Sequence, residues 1–292
     1  MQQNNKKHSR GFNGDFNGKV AVITGAASGI GLGLAKHCAK ESMSIVLADV
    51  NEQRLHQIAE SLQTLGVEVL VVVTDVSKPE ALDALADAAY TRFGRVDLLF
   101  NNAGVLISGF SWERSIEDWQ WIININLMGV IHGVKSFVPR MLAQTSPAHI
   151  INTASLAGFL AAPLMGPYTV SKQAVVALSE TLHYELASIN ANVNVSVLCP
   201  GSIATGIAES GSERKMRSSI SDQANDELMD FLTSGVAEGM SPALCAEKVF
   251  AAIRDQKFWI FTHPDFKASY QRRVDSVMDN SNPVYEAYVI DD

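Results

Sequence analysis

Cysteine is scarce in this chain. Cys38, Cys199 and Cys245 are odd in number and widely spaced, so they build neither a disulfide framework nor a zinc site, and a reducing cytosol is the simplest home. The seven histidines show no metal-ligand spacing. No metal is expected, and His132, His149 and His183 read as structural. A basic block is missing too: 23 Lys and Arg against 31 Asp and Glu leave a net charge of −8, which argues against a nucleic-acid partner. No uninterrupted apolar run approaches the ~18 residues of a membrane-spanning helix, so no membrane partner is expected. The opening MQQNNKKHSRGFNGDFNG is polar, with no apolar h-region. Residues 1–16 therefore read as a flexible tail rather than a signal peptide. Residues 19–263 contain no internal repeat and no linker rich in Pro, Gly or Ser.

What is present is apolar residue, 47% of 292, enough for one large core in a single domain. Short, β-branched, almost uniformly apolar runs recur: KVAVIT, SIVLAD, VEVLVVV, VDLLFNN, AHIINTA, VNVSVLC and, later, KFWIFT. They read as strands buried on both faces. Helix-length amphipathic segments separate them, at 30–42, 52–65, 79–93, 116–144 and 167–190. The alternation predicts an α/β fold: one doubly wound parallel sheet with helices on both faces and ligands at the carboxyl ends of its strands. The domain is expected over 17–265, with a C-terminal extension over 266–292. The polar stretch at about 202–240 breaks the alternation and sits where a substrate lid would lie. A plain surface loop is the alternative.

Thr24-Gly25-Ala26-Ala27-Ser28-Gly29-Ile30-Gly31 lies directly between the first strand and the first helix. Glycines there permit a tight turn and close approach of the backbone to a pyrophosphate at the helix N-terminus. Asp49 ends the second strand, 24 residues after Gly25, near the spacing of an acid that binds adenosine ribose hydroxyls. It could instead cap the next helix, as Asn51 could. A carboxylate facing the ribose would repel a 2′-phosphate, and no Arg or Lys stands at Ala27, Ser28, Val50 or Asn51 to offset it. NAD is therefore favoured over NADP. Further on, Tyr168 and Lys172 are four apart in PYTVSKQAVVALSETL, which puts both side chains on one helix face. A nearby ammonium favours the phenolate, as suits a proton acceptor for an alcohol or donor to a ketone.

With these motifs in hand, the chain resembles the short-chain dehydrogenase/reductase family, over about 17–205 and more loosely to 263. TGAASGIG (24–31), TDV (74–76), NNAG (101–104), Asn126-x-x-Gly129, Ser155 with Tyr168-x-x-x-Lys172, and Pro200-Gly201 follow in the family's order. The resemblance implies a Rossmann fold, oxidoreductase activity on CH–OH groups and an NAD(P) cofactor. Under it Tyr168 is the general acid/base, and Lys172 holds the nicotinamide ribose and lowers the Tyr168 pKa. Ser155 bonds the substrate oxygen, and Asn126 holds a water near Lys172. It also implies cofactor contacts from Gly25, Ser28, Gly29, Ile30, Gly31, Asp49, Asp75, Val76, Asn102, Ala103, Gly104, Tyr168, Lys172, Pro200, Gly201, Ile203 and Thr205.

Apolar stretches at 105–112 and 156–166, with the lid, are expected to line the substrate space. A hydrophobic secondary alcohol or its ketone, aryl-substituted ones included, suits such walls. A ketoacyl-type or carbonyl reductase using NADPH is the alternative, and a catalytically silent nucleotide sensor a more distant one. The family's Asp-Gly-Gly ending is absent here, which weakens the usual tetramer interface. Helices around 119–143 and 167–189 still offer a second interface, so a homodimer is expected first and a homotetramer second.

Overall fold

The computed structural model describes residues 15–211, 235 and 238–285. Seven strands form one parallel sheet in the order β3-β2-β1-β4-β5-β6-β7. They are β1 (Val20–Thr24), β2 (Ser44–Asp49), β3 (Val69–Val73), β4 (Leu98–Asn101), β5 (Ala148–Thr153), β6 (Val193–Cys199) and β7 (Trp259–Phe261). The α-helices of the described residues are α1 (Gly29–Lys40), α2 (Glu52–Gln63), α3 (Pro79–Phe93), α4 (Ile116–Ile123), α5 (Gly129–Ala143), α6 (Gly166–Ser188), α7 (Pro242–Arg254) and α8 (Lys267–Met278). Strand order reverses between β1 and β4, and the crevice this opens lies beyond their carboxyl ends.

The period-2 alternation of strand side chains divides the core. Ala21, Ile23, Ile45, Leu47, Leu98 and Phe100 face α1, α2 and α7, where Leu34, Leu55 and Phe250 are fully buried. Val20, Val22, Val46, Leu99, Ile150 and Val195 face the other way, onto Leu82 and Leu85 of α3, Phe137 of α5 and Leu182 of α6. Burial on both faces holds for the central strands: β1 and β5 are buried at every position. It fails at the edge, where β3 is partly exposed throughout, because an edge strand has a neighbour on one side only.

Helix ends follow local chemistry. The Asn51 side chain accepts from the Arg54 amide at 3.0 Å and caps α2, which leaves Asp49 outside that role. Pro79 opens α3, and Gly94 closes it with a φ of 72°. The segment expected as one helix at 116–144 is α4 and α5 joined by a π-helical turn, Asn124–Met128. Its length and composition would allow a membrane span, yet 44% of its apolar 18-residue stretch is buried within the fold. Ile122, Val130, Phe137 and Met141 all pack in the core, so it serves as a core helix.

Phe16 is buried, with its ring edge-on to Phe250 at 5.0 Å; residues 1–14 of the expected tail lie outside the described residues. Phe266 is likewise buried in the core, and α8 follows it directly.

Candidate active site

The end of β1 is tied to the end of β4 through one hydroxyl. Thr24 Oγ1 donates to the Phe100 carbonyl at 3.2 Å and accepts from the Asn102 and Ala103 amides at 2.9 and 3.1 Å. Gly25 then turns with a φ of 66°, so close to the neighbouring chain that a Cβ would lie 2.8 Å from Ala103 Cα. Gly31, two residues into α1, leaves no room either: its Cβ would come within 2.1 Å of the Gly25 carbonyl oxygen. Helix α1 therefore starts hard against the turn. Its N-cap, Ser28, makes no side-chain capping bond, and its first turn carries no acid, so its leading amides are suited to an anion. Asp49 Oδ2 accepts from the Ala27 amide at 3.1 Å and Oδ1 from the Asn51 amide at 3.0 Å. The carboxylate is thereby fixed beside the glycine turn, with Val50 exposed next to it.

These groups open onto a cavity of about 310 Å³. Its lining gathers Gly25, Ser28, Gly29, Ile30, Asp49, Asp75, Val76, Asn102, Ala103, Gly104, Tyr168, Lys172, Pro200 and Thr205 from those read in the sequence. Gly31, Asn126, Ser155, Gly201 and Ile203 are not part of that lining. Gly31 packs the turn from behind. Gly201 donates its amide to Thr262 Oγ1 at 3.0 Å, and Ile203 is buried in the core, bridged to Met240. The sequence reading missed Val50, Thr74, Ile125, Thr153 and Ala154, while Val105, Gly206, Ile207 and Ser210 come from the expected substrate stretch and lid. Several merely flank the motifs. Ser210, however, meets the amide of Leu106 at 2.8 Å across 104 residues of chain, a contact no local pattern announces.

At the inner end, α6 carries Tyr168 and Lys172, both buried. Lys172 Nζ donates to the Thr153 carbonyl at 3.0 Å and lies 5.7 Å from the Tyr168 ring centroid. Burial pushes the Tyr168 phenol above its usual range, and a hydrogen bond with the Ser155 side chain acts in the opposite direction. The expected depression by Lys172 is not among the influences on Tyr168. Burial instead lowers the Lys172 ammonium to about 8, with Cys199 acting weakly to raise it. Both groups are thus held toward their neutral forms by loss of water. Ser155, two residues beyond β5 in extended backbone, starts a 3-10 turn at Leu156–Gly158 and accepts from the Ala157 amide at 3.1 Å.

Asn126 is fully buried in the π-helical turn, whereas Asn124 is exposed. Its Oδ1 accepts from the Val105 amide at 2.8 Å, and its Nδ2 donates to the Val105 carbonyl at 2.9 Å and to Ser171 Oγ at 3.1 Å. Both side-chain donors are used to clamp the chain after Gly104 to the catalytic helix. The side chain thus acts as a clamp between the two segments. Beyond Tyr168 the wall is apolar: Leu106, Ile107, Ile122 and Met165 cluster with its ring, and Val105, Ala157, Ala162 and Ile207 pack around them. Two residues of the expected substrate stretches lie elsewhere. Leu156 and Phe159 belong to a separate cluster behind the loop, with Val176 and Phe266.

A crevice at the switch point of a doubly wound sheet, bounded by an anion-ready helix start and a buried Tyr–Lys pair, defines an NAD(P)-dependent oxidoreductase acting on CH–OH groups. Residues 19–216 match the family described as short chain dehydrogenase, and the chain belongs to that family. A short-chain dehydrogenase/reductase of Burkholderia phymatum, solved in complex with NAD, is 43% identical, with a TM-score of 0.88 over 94% of this chain and 99% of that one. A CLA biosynthesis dehydrogenase/reductase of Lactiplantibacillus plantarum is 34% identical over 92% of this chain and 96% of its own. A C alpha-dehydrogenase of Sphingobium sp. is also 34% identical, over 92% of this chain and 88% of its own.

Proposed function

We propose that this protein interconverts a hydrophobic secondary alcohol, aryl-substituted ones included, and its ketone, and that it prefers NAD to NADP. The observation that carries this is the pairing of a carboxylate fixed at one end of the cavity with a buried Tyr168 under an apolar wall at the other. The residues fit a dinucleotide. Asp49 would hold the adenosine ribose, Asp75 would meet the adenine, the α1 amides and glycine turn would take the pyrophosphate, and Lys172 and Thr205 would hold the nicotinamide end. When bound, the dinucleotide supplies the hydride chemistry. Tyr168 Oη takes the hydroxyl proton of the alcohol, or returns it to the ketone oxygen. Ser155 Oγ hydrogen-bonds the same oxygen and favours the charge that develops there. Asn126 keeps the chain after Gly104 against α6, so the cavity floor and Tyr168 stay in register.

NAD preference rests on the Asp49 carboxylate, which would meet a 2′-phosphate as a like charge, with exposed Val50 beside it in place of a cation. The lid expected over 202–240 lies largely outside the described residues, but its ends are joined: Ile203 bridges Met240, and the Ala204 amide donates to the Met240 carbonyl at 2.9 Å. A homodimer through the α5 and α6 faces fits the exposed Leu142, Val170 and Tyr184 there. Three buried free cysteines fit work in a reducing cytoplasm. A panel of aliphatic and aryl-substituted secondary alcohols and ketones, followed by reduced-nicotinamide absorbance with NAD and NADP, tests the reading. Faster turnover of apolar secondary alcohols with NAD is expected. Preference for anionic or primary alcohols, or for NADP, would overturn the corresponding part.

A further inference from the structure

Phe159 lies four residues after Ser155 and nine before Tyr168, yet its ring turns away from the substrate wall. It is buried within a cage of aromatic rings. Trp259 and Phe261 stand edge-on to it, each at 5.5 Å, Phe266 lies at 5.7 Å, and Tyr270 of α8 meets it at 5.1 Å with an interplanar angle of 84°. Its carbonyl oxygen accepts a hydrogen bond from Arg273 Nη1, also on α8, at 2.8 Å. Helix α8 has no buried residue of its own. It is nonetheless attached by a ring and a charged donor to one residue of the catalytic connection.

That residue is rigidly coupled to the site. The Phe159 amide donates to the Leu156 carbonyl at 2.9 Å, and the Gly158 amide to the Ser155 carbonyl at 2.9 Å. The Leu156 amide donates in turn to the Pro200 carbonyl at 3.0 Å. Gly158 sits so tightly on α6 that a Cβ would come within 2.7 Å of Val176 and 3.2 Å of the Lys172 carbonyl oxygen. A shift of Phe159 is therefore felt at Ser155 and at the turn of α6 that carries Lys172. Close-packed interiors transmit such displacements rather than absorb them.

We propose that α8 is a positioning element for the reaction: through Phe159, Tyr270 and Arg273 fix the Ser155–Tyr168 connection and so set how the substrate oxygen is presented. The proposal rests on the reading of Ser155 as the group that bonds that oxygen. Neither Tyr270 nor Arg273 belongs to the cavity lining, so they touch neither alcohol nor dinucleotide and act through Phe159.

The test uses the full chain with Arg273→Met, Arg273→Lys, Tyr270→Leu and the Met/Leu double variant. All alter a helix without buried residues, so folding should be retained. Hydrogen–deuterium exchange of peptides covering 155–168 is read first, then kcat/KM over the alcohol panel and dinucleotide Kd by fluorescence. Faster exchange in that segment is expected for Arg273→Met and Tyr270→Leu. For bulky alcohols kcat/KM is expected to fall about tenfold, the lower end of what one lost charge-assisted hydrogen bond is worth. Dinucleotide Kd should stay within about twofold, since no cofactor contact is removed, and Arg273→Lys should recover much of the loss. Unchanged exchange in 155–168 overturns the proposal, as does alcohol kinetics that fall only in step with dinucleotide binding. If the wild-type protein turns over no secondary alcohol or ketone, the functional reading fails, while the exchange measurement still decides whether α8 holds the connection.

Discussion

At the Asp49 end of the cavity the wall is largely main chain: the Gly25 turn, the leading amides of α1 and the Ala27 amide bonded to Asp49. At the Tyr168 end it is side chain, with Lys172 and Tyr168 buried and drained of water. Backbone dipoles cannot be lost by mutation and carry no titrating proton, so the first end suits a constant ligand. Buried titrating groups store their electrostatic cost in the fold, so the second end suits chemistry and is easier to damage. The two ends meet at Thr24, Asn102 and Ala103, whose hydrogen bonds hold β1 to β4.

The hardest blow to that contrast is Tyr168→Phe. The ring still fills its site, but the proton-transfer group is gone, and turnover should fall by roughly 10²–10⁴-fold. Dinucleotide affinity, measured by fluorescence titration, should remain near wild type. Loss of affinity in step with turnover would show that the two ends are not separable. A smaller effect is expected from Lys172→Met in the dinucleotide-free protein. The ordinary lysine value of 10.5 falls to about 8 in the fold, so between those pH values the unfolded chain binds more protons. Stability from this source is present above 10.5 and lost as the pH falls through about 8. Urea denaturation from neutral to alkaline pH should find wild type gaining on Lys172→Met, on the order of 2 kcal/mol over the window. Parallel curves would mean that Lys172 carries no such cost.

The mildest change is expected at the other end. Asp49→Ser with Val50→Arg removes a like charge and adds a phosphate partner. The NAD/NADP ratio of kcat/KM should move toward NADP by about tenfold, or about 1.4 kcal/mol. The pH profile of kcat should not move. A wild type that already prefers NADP would mean that Asp49 does not act on the ribose.

Legibility in the sequence follows the same division. The glycine turn, Asp49, Tyr168 and Lys172 act through neighbours close in the chain or through strand ends, so spacing reveals them. The sheet was legible because its central strands are apolar on both faces. Phe159 was placed on the substrate wall because its own segment is apolar throughout, and only contacts with Trp259, Phe261, Phe266 and Tyr270, about a hundred residues on, turn its ring away. Asn126 could be picked from Asn124 by its motif, but not the π-helical turn that aims it at Val105. Spacing on a helix says nothing about desolvation, which is the largest influence at both Tyr168 and Lys172.

The bridge between Ile203 and Met240 has a consequence for how such enzymes diversify. Because Ile203 and Met240 lie side by side, the two ends of the intervening chain keep their places whatever its length. Closure entropy rises only with the logarithm of loop length, about 0.6 kcal/mol per doubling. Insertions, deletions and changes of composition between 212 and 237, beyond Thr205 and Ser210 of the cavity lining, can therefore be sampled at little cost to folding.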